Sequence, residues 1–477
     1  MTEFGPFRLD NWPIKRIIKW SLIVHVITAY FSEGFFQFDE HFQVLEFLNY
    51  KLNGSPASDL PWEYKEQIRP WFQVFIYYLL IAPLNFLGVS SPFFQAFILR
   101  LFTSLIGVYS VFSLKDFLLK EFDGDEKKQK VALILMQFSW FVPVIHSRAS
   151  SESLSASLIL IGFSYLYKSL NRECLIKSFI SGLLFGAAYL VKAQLSLVVA
   201  FLWFWLVFSH PKFWKTYITI SLAIIFSITL GVLFDYWGYG EWTFSTWNYF
   251  QVNILQDRVS GFGIDPWWKY FKFSLMKGIP PLSIAFMAAY FLFWWKNPKS
   301  PVFWMTAPFF LIHCLIGHKE LRFIFFVVLL APFVLVKILD EYEKLDSKIV
   351  KIFVYLNLII LVPVGLKSAN SSIRFFKYIS KEKVKSFYAH NENPYQMVGL
   401  KMNFYHPKGL NIKIFKEDPK VYNGKYFFRS GQKYFELSNN KNCRLEYLSY
   451  PKFALNFNIG NWIKRSRVWS LWDCKTP

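Results

Sequence analysis

Apolar runs long enough to cross a bilayer, about 17–25 residues, recur along the first three quarters of the chain. They fall at 17–33, 93–114, 131–147, 153–168, 176–191, 194–208, 216–234, 279–296, 301–317, 323–339 and 349–366. A further apolar stretch, 72–90, is interrupted by Pro83 and Gly88, which predicts a re-entrant or split segment. The pattern predicts an all-α polytopic membrane protein of about 11–12 spans. The first run is too long for a cleavable signal peptide, and no small-residue cleavage site follows it. From Lys367 the long runs stop. Short stretches such as Asn411–Phe415 and Tyr426-Phe427-Phe428 predict strands, so 367–477 reads as an extramembrane domain of α/β or mixed class after a membrane domain over 1–366.

Charge orients the spans. Of 477 residues, 53 are Lys or Arg and 32 Asp or Glu, a formal net charge of +21. Lys15, Arg16 and Lys19 border the first run. Loops 115–130, 168–177 (Lys168, Arg172, Lys177) and 340–351 are basic, as are the turns holding Lys212, Lys215, Lys296 and Lys299. The positive-inside rule makes these cytoplasmic. Alternation then puts 34–71, 147–152, 192–194, 235–278 and 318–322 on the outer face, provided that 72–114 crosses an odd number of times. The tail carries 21 Lys and Arg against 7 Asp and Glu, and long domains translocate largely regardless of charge. The basic balance is therefore no nucleic-acid footprint. With 54% hydrophobic and 18% charged residues, disordered, collagen-like and disulfide-dense classes are excluded. Cys443 and Cys474 both lie in the tail, as a disulfide if the compartment is oxidising or as free thiols. No C-x-x-C or His-rich tract suggests zinc.

Five polar clusters fall on the predicted outer side, and ionisable groups near membrane depth point to function by default. Asp39-Glu40-His41 follows the first span, either as a solvated helix end or as a general base near the bilayer surface. The loop continues into the amphipathic run 61–71, with Glu63 and Arg69. His146-Ser147-Arg148-Ala149-Ser150-Ser151-Glu152 is a polar turn in which Arg148 and Glu152, four apart, have the spacing to pair on one helix face. Lys192-Ala193-Gln194 interrupts an apolar stretch from Phe179 to Phe208, as a snorkelling lysine or a phosphate or sugar contact. Loop 235–268, with Asp235, Tyr239, Asn253 and Trp267, has a carbohydrate-like or interfacial aromatic composition. His318-Lys319-Glu320-Leu321-Arg322-Phe323 sets four ionisable groups between two spans, where Arg and Lys suit a phosphate.

In their order these clusters resemble glycosyltransferase family 22, the multi-span mannosyltransferases of the GT-C superfamily, over residues 1 to about 366. The resemblance rests on Asp39-Glu40 with Gln43 and Glu46, Pro61-Trp62-Glu63, Ser147-Arg148-Ala149-Ser150-Ser151-Glu152, and Asp235, Tyr239-Gly240, Thr243, Asn248 and Asn253. It also rests on Gly263-Ile264-Asp265-Pro266-Trp267 and on the intact His318 to Phe323 motif. Gln37-Phe38 stand where the family often has His-x or Pro before its acidic pair. The amphipathic first loop and long tail look like the third mannosyltransferases of the GPI-anchor pathway.

The resemblance implies a GT-C fold and inverting transfer of mannose from a polyprenyl- or dolichyl-phosphate carrier to a lipid-linked or GPI-like glycan. It implies the endoplasmic reticulum or bacterial inner membrane, with the site on the extracytoplasmic face. Asp39 is then the general base, with Glu40 orienting or substituting. His318, Lys319, Arg322 and Lys192 bind the donor phosphate. Glu63, Arg69, Arg148, Glu152, Gln194, Asp235, Tyr239, Asn253 and Trp267 shape the acceptor and sugar site. No cofactor or metal is expected, the donor being a substrate, and membrane lipid, donor and glycan acceptor are the expected partners. The alternatives are a flippase of a lipid-linked glycan, which predicts midplane polar residues in paired halves, and a non-catalytic glycolipid-binding subunit.

Overall fold

The computed structural model of the protein describes residues 12–171, 173–345, 348–417, 419 and 422–475, so Arg172 of loop 168–177 lies outside the described residues. The chain divides into two compact units. The first comprises residues up to Ser32, Trp62–Leu84 and Phe97–Lys367; the second comprises Glu33–Pro61, Asn85–Ala96 and the tail from Ser368.

The apolar runs form helices α1 (Ile14–Phe31), α2 (Phe72–Phe86), α3 (Pro92–Ser113), α4 (Glu126–Phe138), α5 (Val142–His146), α6 (Ser151–Leu170) and α7 (Leu175–Val191). They continue as α8 (Ser196–Ser209), α9 (Trp214–Tyr239), α10 (Leu282–Lys296), α11 (Pro301–Leu315), α12 (Phe325–Glu341) and α13 (Lys348–Gly365). Among the described residues, four helical stretches are long and apolar enough to cross a membrane: Pro92–Glu121, Ser151–Leu170, Pro211–Tyr239 and Leu321–Glu341. Six more are apolar but of only 10–17 residues. The expected count is met only with the shorter helices and with α1, which carries Lys15, Arg16 and Lys19.

Two expected segments differ. Run 131–147 is not one helix: α4 stops at Phe138, and α5 restarts at Val142 with Pro143 in its first turn. Proline has no N–H to give to the preceding turn. The break is satisfied by Asn357 of α13, whose Oδ1 accepts from Trp140 N (2.9 Å) and whose Nδ2 donates to Phe138 O (2.8 Å). Conversely, α2 runs unbroken through Pro83, one turn from its end, and the chain turns at Gly88, φ +81°.

Helices α6, α7 and α9 pack on one another, and the contact depends on small residues. Gly182 and Gly186 of α7 face α9 so closely that a Cβ would meet Ile220 O at 2.5 Å and Ser227 Cβ at 2.4 Å. Without an apolar-solvation gradient between helices in lipid, close backbone approach and interhelical hydrogen bonds carry the association. Ser155 Oγ donates to Ala188 O and Ser181 Oγ to Gly162 O, both at 2.8 Å, joining α6 to α7. The unit's core includes Phe163, Phe185, Phe293, Phe309, Phe326 and Phe333.

The second unit contains a five-stranded mixed sheet of β1 (Ser386–His390), β2 (Asn411–Phe415), β3 (Gly424–Arg429), β4 (Cys443–Leu448) and β5 (Trp469–Cys474), in the order β2-β1-β3-β5-β4. The apolar run Tyr426-Phe427-Phe428 is buried on both sides. Phe427 packs on Phe375 of helix α14 (Ser372–Lys381). Tyr426 and Phe428 cluster with Leu437 of helix α15 (Gly431–Ser438). Cys443 opposes Cys474 across β4 and β5, and a disulfide joins them. The first-loop residues carry a π-helical turn, Glu40–Leu45, followed by a short α-helix, Glu46–Lys51. His41 Nε2 lies 2.8 Å from Glu46 Oε1, which also accepts from Phe404 N at 3.0 Å, while Tyr405 stacks on His41.

Gly186→Leu is expected to lower the stability of the detergent-solubilised protein by about 1–3 kcal/mol through overpacking, seen as a lower Tm. Gly261→Ala, where a Cβ meets nothing within 4 Å, leaves Tm unchanged. Cys443→Ser, opening a crosslink 31 residues long, costs about 3.5 kcal/mol, measured as loss of protease resistance in the tail.

Candidate active site

The first unit gathers a buried ionic cluster from three places. Glu152 sits in the first turn of α6, whose N-cap Ser150 accepts from Ser153 N. Lys192 is where the apolar stretch 179–208 breaks: α7 ends at Val191, Lys192 is extended (φ −151°, ψ 99°), and a 3-10 turn, Ala193–Leu195, leads into α8. Arg322 lies in the 3-10 turn Leu321–Ile324 that opens α12. Lys192 Nζ is 2.7 Å and Arg322 Nη1 3.6 Å from Glu152 Oε1. All three side chains are at most 10% exposed.

Glu320 closes the other side. It receives Arg322 Nε at 2.8 Å and Nη2 at 2.9 Å as a two-pronged fork, and His318 Nε2 lies 3.1 Å from its Oε1. The ring of Phe323 lies 5.5 Å from Lys192 Nζ and 5.2 Å from the Arg322 guanidinium carbon. Lys192, Lys319 and Arg322 outweigh Glu152 and Glu320 by one charge. Lys319 Nζ, however, donates to Asp265 O (3.1 Å) and to Ile316 O, so it clips loop 261–268 to the end of α11. Asp265 also pairs with Lys269, whose hydrogen bond holds the carboxyl below the usual carboxylate range.

Arg148 and Glu152 do not pair with each other. Ser150 is still extended (ψ 152°), so Arg148 precedes the helix and shares no face with Glu152. Fully buried, Arg148 donates through Nη2 to Ser32 Oγ (2.5 Å) and Ser32 O, which end α1. His146, also buried, stacks on His25 with Nδ1 3.1 Å from its Nε2, in space that Gly107 leaves open.

The residues read as acceptor contacts divide. Asp235, near the end of α9, accepts from Trp71 N (3.1 Å), Ser245 N (3.0 Å) and Ser245 Oγ (2.5 Å). Tyr239 OH donates to Arg69 O (2.9 Å) and accepts from Arg69 N (3.1 Å). Trp71 lies flat on Gly238, where a Cβ would come within 2.0 Å of its ring. Asp235 and Tyr239 therefore position segment 62–71, on which Glu63 and Arg69 pair at 3.5 Å. Tyr249 gathers the others: its ring is 5.8 Å from the Arg69 guanidinium carbon, its hydroxyl accepts from Gln194 Nε2 at 3.5 Å, and its carbonyl accepts from Asn253 Nδ2 at 3.2 Å. Trp267 is exposed and edges onto Phe271.

Asp39 and Glu40 belong to the second unit. Asp39, half-buried, immediately precedes the π-helical turn; such turns are frequent at functional sites. Glu40 is buried and accepts from Phe36 N at 3.3 Å. Glu320, Tyr249 and Ser32 were given no role from sequence. Glu320 was nonetheless visible inside the His318–Phe323 motif, two residues before the guanidinium that it holds. Among the described residues no three His, Cys, Asp or Glu side chains group as metal ligands.

Removing the central carboxylate leaves two cations buried with one partner fewer. Glu152→Gln is therefore expected to cost about 3–5 kcal/mol, and the double variant Glu152→Gln/Lys192→Met should recover part of that loss. Thermal unfolding of the wild type, both single variants (Glu152→Gln and Lys192→Met) and the double variant in detergent measures the coupling.

The chain is 25% identical to GPI mannosyltransferase 3 of Debaryomyces hansenii over 373 residues, covering 74% of this chain and 65% of that protein. It is 26% identical to mannosyltransferase APTG1 of Arabidopsis thaliana, covering 65% and 56%, and 23% identical to GPI alpha-1,2-mannosyltransferase 3 of Homo sapiens, covering 67% and 56%. It thus spans just over half to about two thirds of the length of these curated relatives. The crystal structure of ArnT from Cupriavidus metallidurans bound to undecaprenyl phosphate shares the fold, with a TM-score of 0.55 at 9% identity over 96% of this chain and 97% of that one. A family model, the Alg9-like mannosyltransferases, matches residues 16–408. With that match over most of its length, and with the polar clusters on a shared fold, the chain belongs to the Alg9-like mannosyltransferase family.

Proposed function

We propose that the chain is an inverting mannosyltransferase that takes mannose from a polyprenyl- or dolichyl-phosphate carrier and adds it to a lipid-linked, GPI-like glycan at the extracytoplasmic face. The observation that carries this reading is the pair of cations Lys192 and Arg322 held on buried Glu152, with half-buried His318 and Glu320 beside them, in a chain of that family. Charges at this depth are costly, and a bidentate guanidinium suits phosphate. Family membership argues against the flippase alternative. The relatives named for GPI mannosyl transfer support the acceptor class, and a neighbour bound to undecaprenyl phosphate supports the donor class.

In this reading Glu320 occupies the Arg322 fork as a donor phosphate would, and yields it when the donor arrives. Lys192 and His318 face the same phosphate, and Lys319 fixes the loop above it. Asp39 accepts the proton of the acceptor hydroxyl as that oxygen forms its bond to mannose C1. The C1–O bond to phosphate breaks, and the phosphate leaves with the electron pair, its charge met by Arg322 and Lys192. Glu40, tied to the Phe36 amide, orients the turn that carries Asp39.

Transfer of labelled mannose from a lipid-phosphate donor in proteoliposomes tests this. Asp39→Asn is expected to lower kcat about 10²–10⁴-fold with the donor KM unchanged, and Arg322→Lys to raise the donor KM. Wild-type turnover in Asp39→Asn would remove the base assignment.

A further inference from the structure

The second unit holds a cavity of about 300 Å³, within the usual range for ligand sites (about 300–1,000 Å³). Its wall includes Phe38, Asn370, Glu392, Gln396, Arg429 and Trp469. Phe38 immediately precedes Asp39, the residue read as the base, so the first loop supplies both a wall residue and its chain neighbour.

The polar groups are of one kind. Glu392 Oε1 accepts from Arg429 Nη1 at 2.7 Å, and the Arg429 guanidinium carbon lies 5.5 Å from the centre of the Trp469 ring. Arg429 Nε is buried and, among the described residues, has no hydrogen-bond partner. The Asn370 carbonyl oxygen is taken by Ser372 N (3.0 Å) and Ser372 Oγ (2.6 Å), which leaves its NH₂ for a ligand. Gln396 stands on a tight two-stranded hairpin, Gln396–Met397 against Leu400–Lys401, whose turn uses positive φ at Val398 and Gly399. Carboxylate, guanidinium and amides are planar groups that hold neighbouring hydroxyls in pairs, and Phe38, Met397 and Trp469 offer apolar surface to C–H faces. Because Glu392 balances Arg429, the lining has no cationic excess and suits a neutral ligand rather than a phosphate.

We infer that this cavity is the subsite for a neutral sugar of the acceptor glycan, built by the tail and the first loop, which presents the acceptor hydroxyl to Asp39. The inference rests on the transferase reading above and adds the tail's share in it. Two variants test it on the full chain in proteoliposomes: Gln396→Trp, which fills the cavity from an exposed position, and Glu392→Gln. Each is expected to raise the acceptor KM about tenfold, with kcat and donor KM unchanged and Tm retained. Saturation-transfer NMR with an α-linked mannose disaccharide supplies a readout independent of turnover: signal from the wild type, lost in Gln396→Trp. Unchanged acceptor KM and unchanged disaccharide signal in both variants overturn the subsite. Absent mannose transfer in the wild type, with a disaccharide signal that Gln396→Trp abolishes, overturns the transferase reading and keeps the cavity as a sugar site. Absence of both wild-type transfer and disaccharide signal overturns the subsite together with that reading.

Discussion

The buried carboxylate of Glu152 is the constraint around which the first unit is arranged. Two cations that could not be held in an apolar interior alone, Lys192 and Arg322, are held by it. Each of the three residues marks a place where a helical stretch starts or breaks: Glu152 the N-terminus of α6, Lys192 the α7–α8 interruption and Arg322 the 3-10 entry to α12. A helix N-terminus favours negative charge, so Glu152 stands where its own backbone also supports it. The glycine-mediated approach of α7 to α9 and the serine bonds between α6 and α7 then fix where the break at Lys192 falls relative to Glu152.

The same logic separates what the sequence makes legible from what it hides. Helix positions were readable because apolar runs need no partner to be recognised. The α4–α5 break was not, because it depends on Asn357, more than two hundred residues away, paired with Trp140 N and Phe138 O. The pairing expected of Arg148 and Glu152 failed for a similar reason. Four-residue spacing implies one helix face only where both residues are helical, and Ser150 is the cap. Residue types at the site were legible as motifs, yet whether a polar residue touches a ligand or holds the scaffold depends on its neighbours. Asp235 and Tyr239 hold backbone; Glu320 holds the arginine assigned to phosphate.

The tail's strands were visible as apolar stretches, since Tyr426-Phe427-Phe428 needs cover on both faces. Their order was not. The pairing β2-β1-β3-β5-β4 mixes parallel and antiparallel neighbours and places the last strand between β3 and β4. Residues 33–61 share a unit with that sheet, through contacts such as Glu46 with Phe404 N, and no local pattern announces this.

That strand order sets a timetable for biosynthesis. Because Trp469–Cys474 is an interior strand, the sheet cannot close until residue 474 has emerged. The turn bearing Asp39, made more than four hundred residues earlier, waits for its partners in the meantime. At translation rates of about 5–20 residues per second, that delay is roughly 20–90 s. Over the same interval the helices of the first unit, which run to Gly365, are themselves made, while the first-loop turn still lacks its partners in the tail. A chain cut short of residue 474 therefore carries the Glu152 cluster, while the first-loop turn lacks the closed sheet of its own unit.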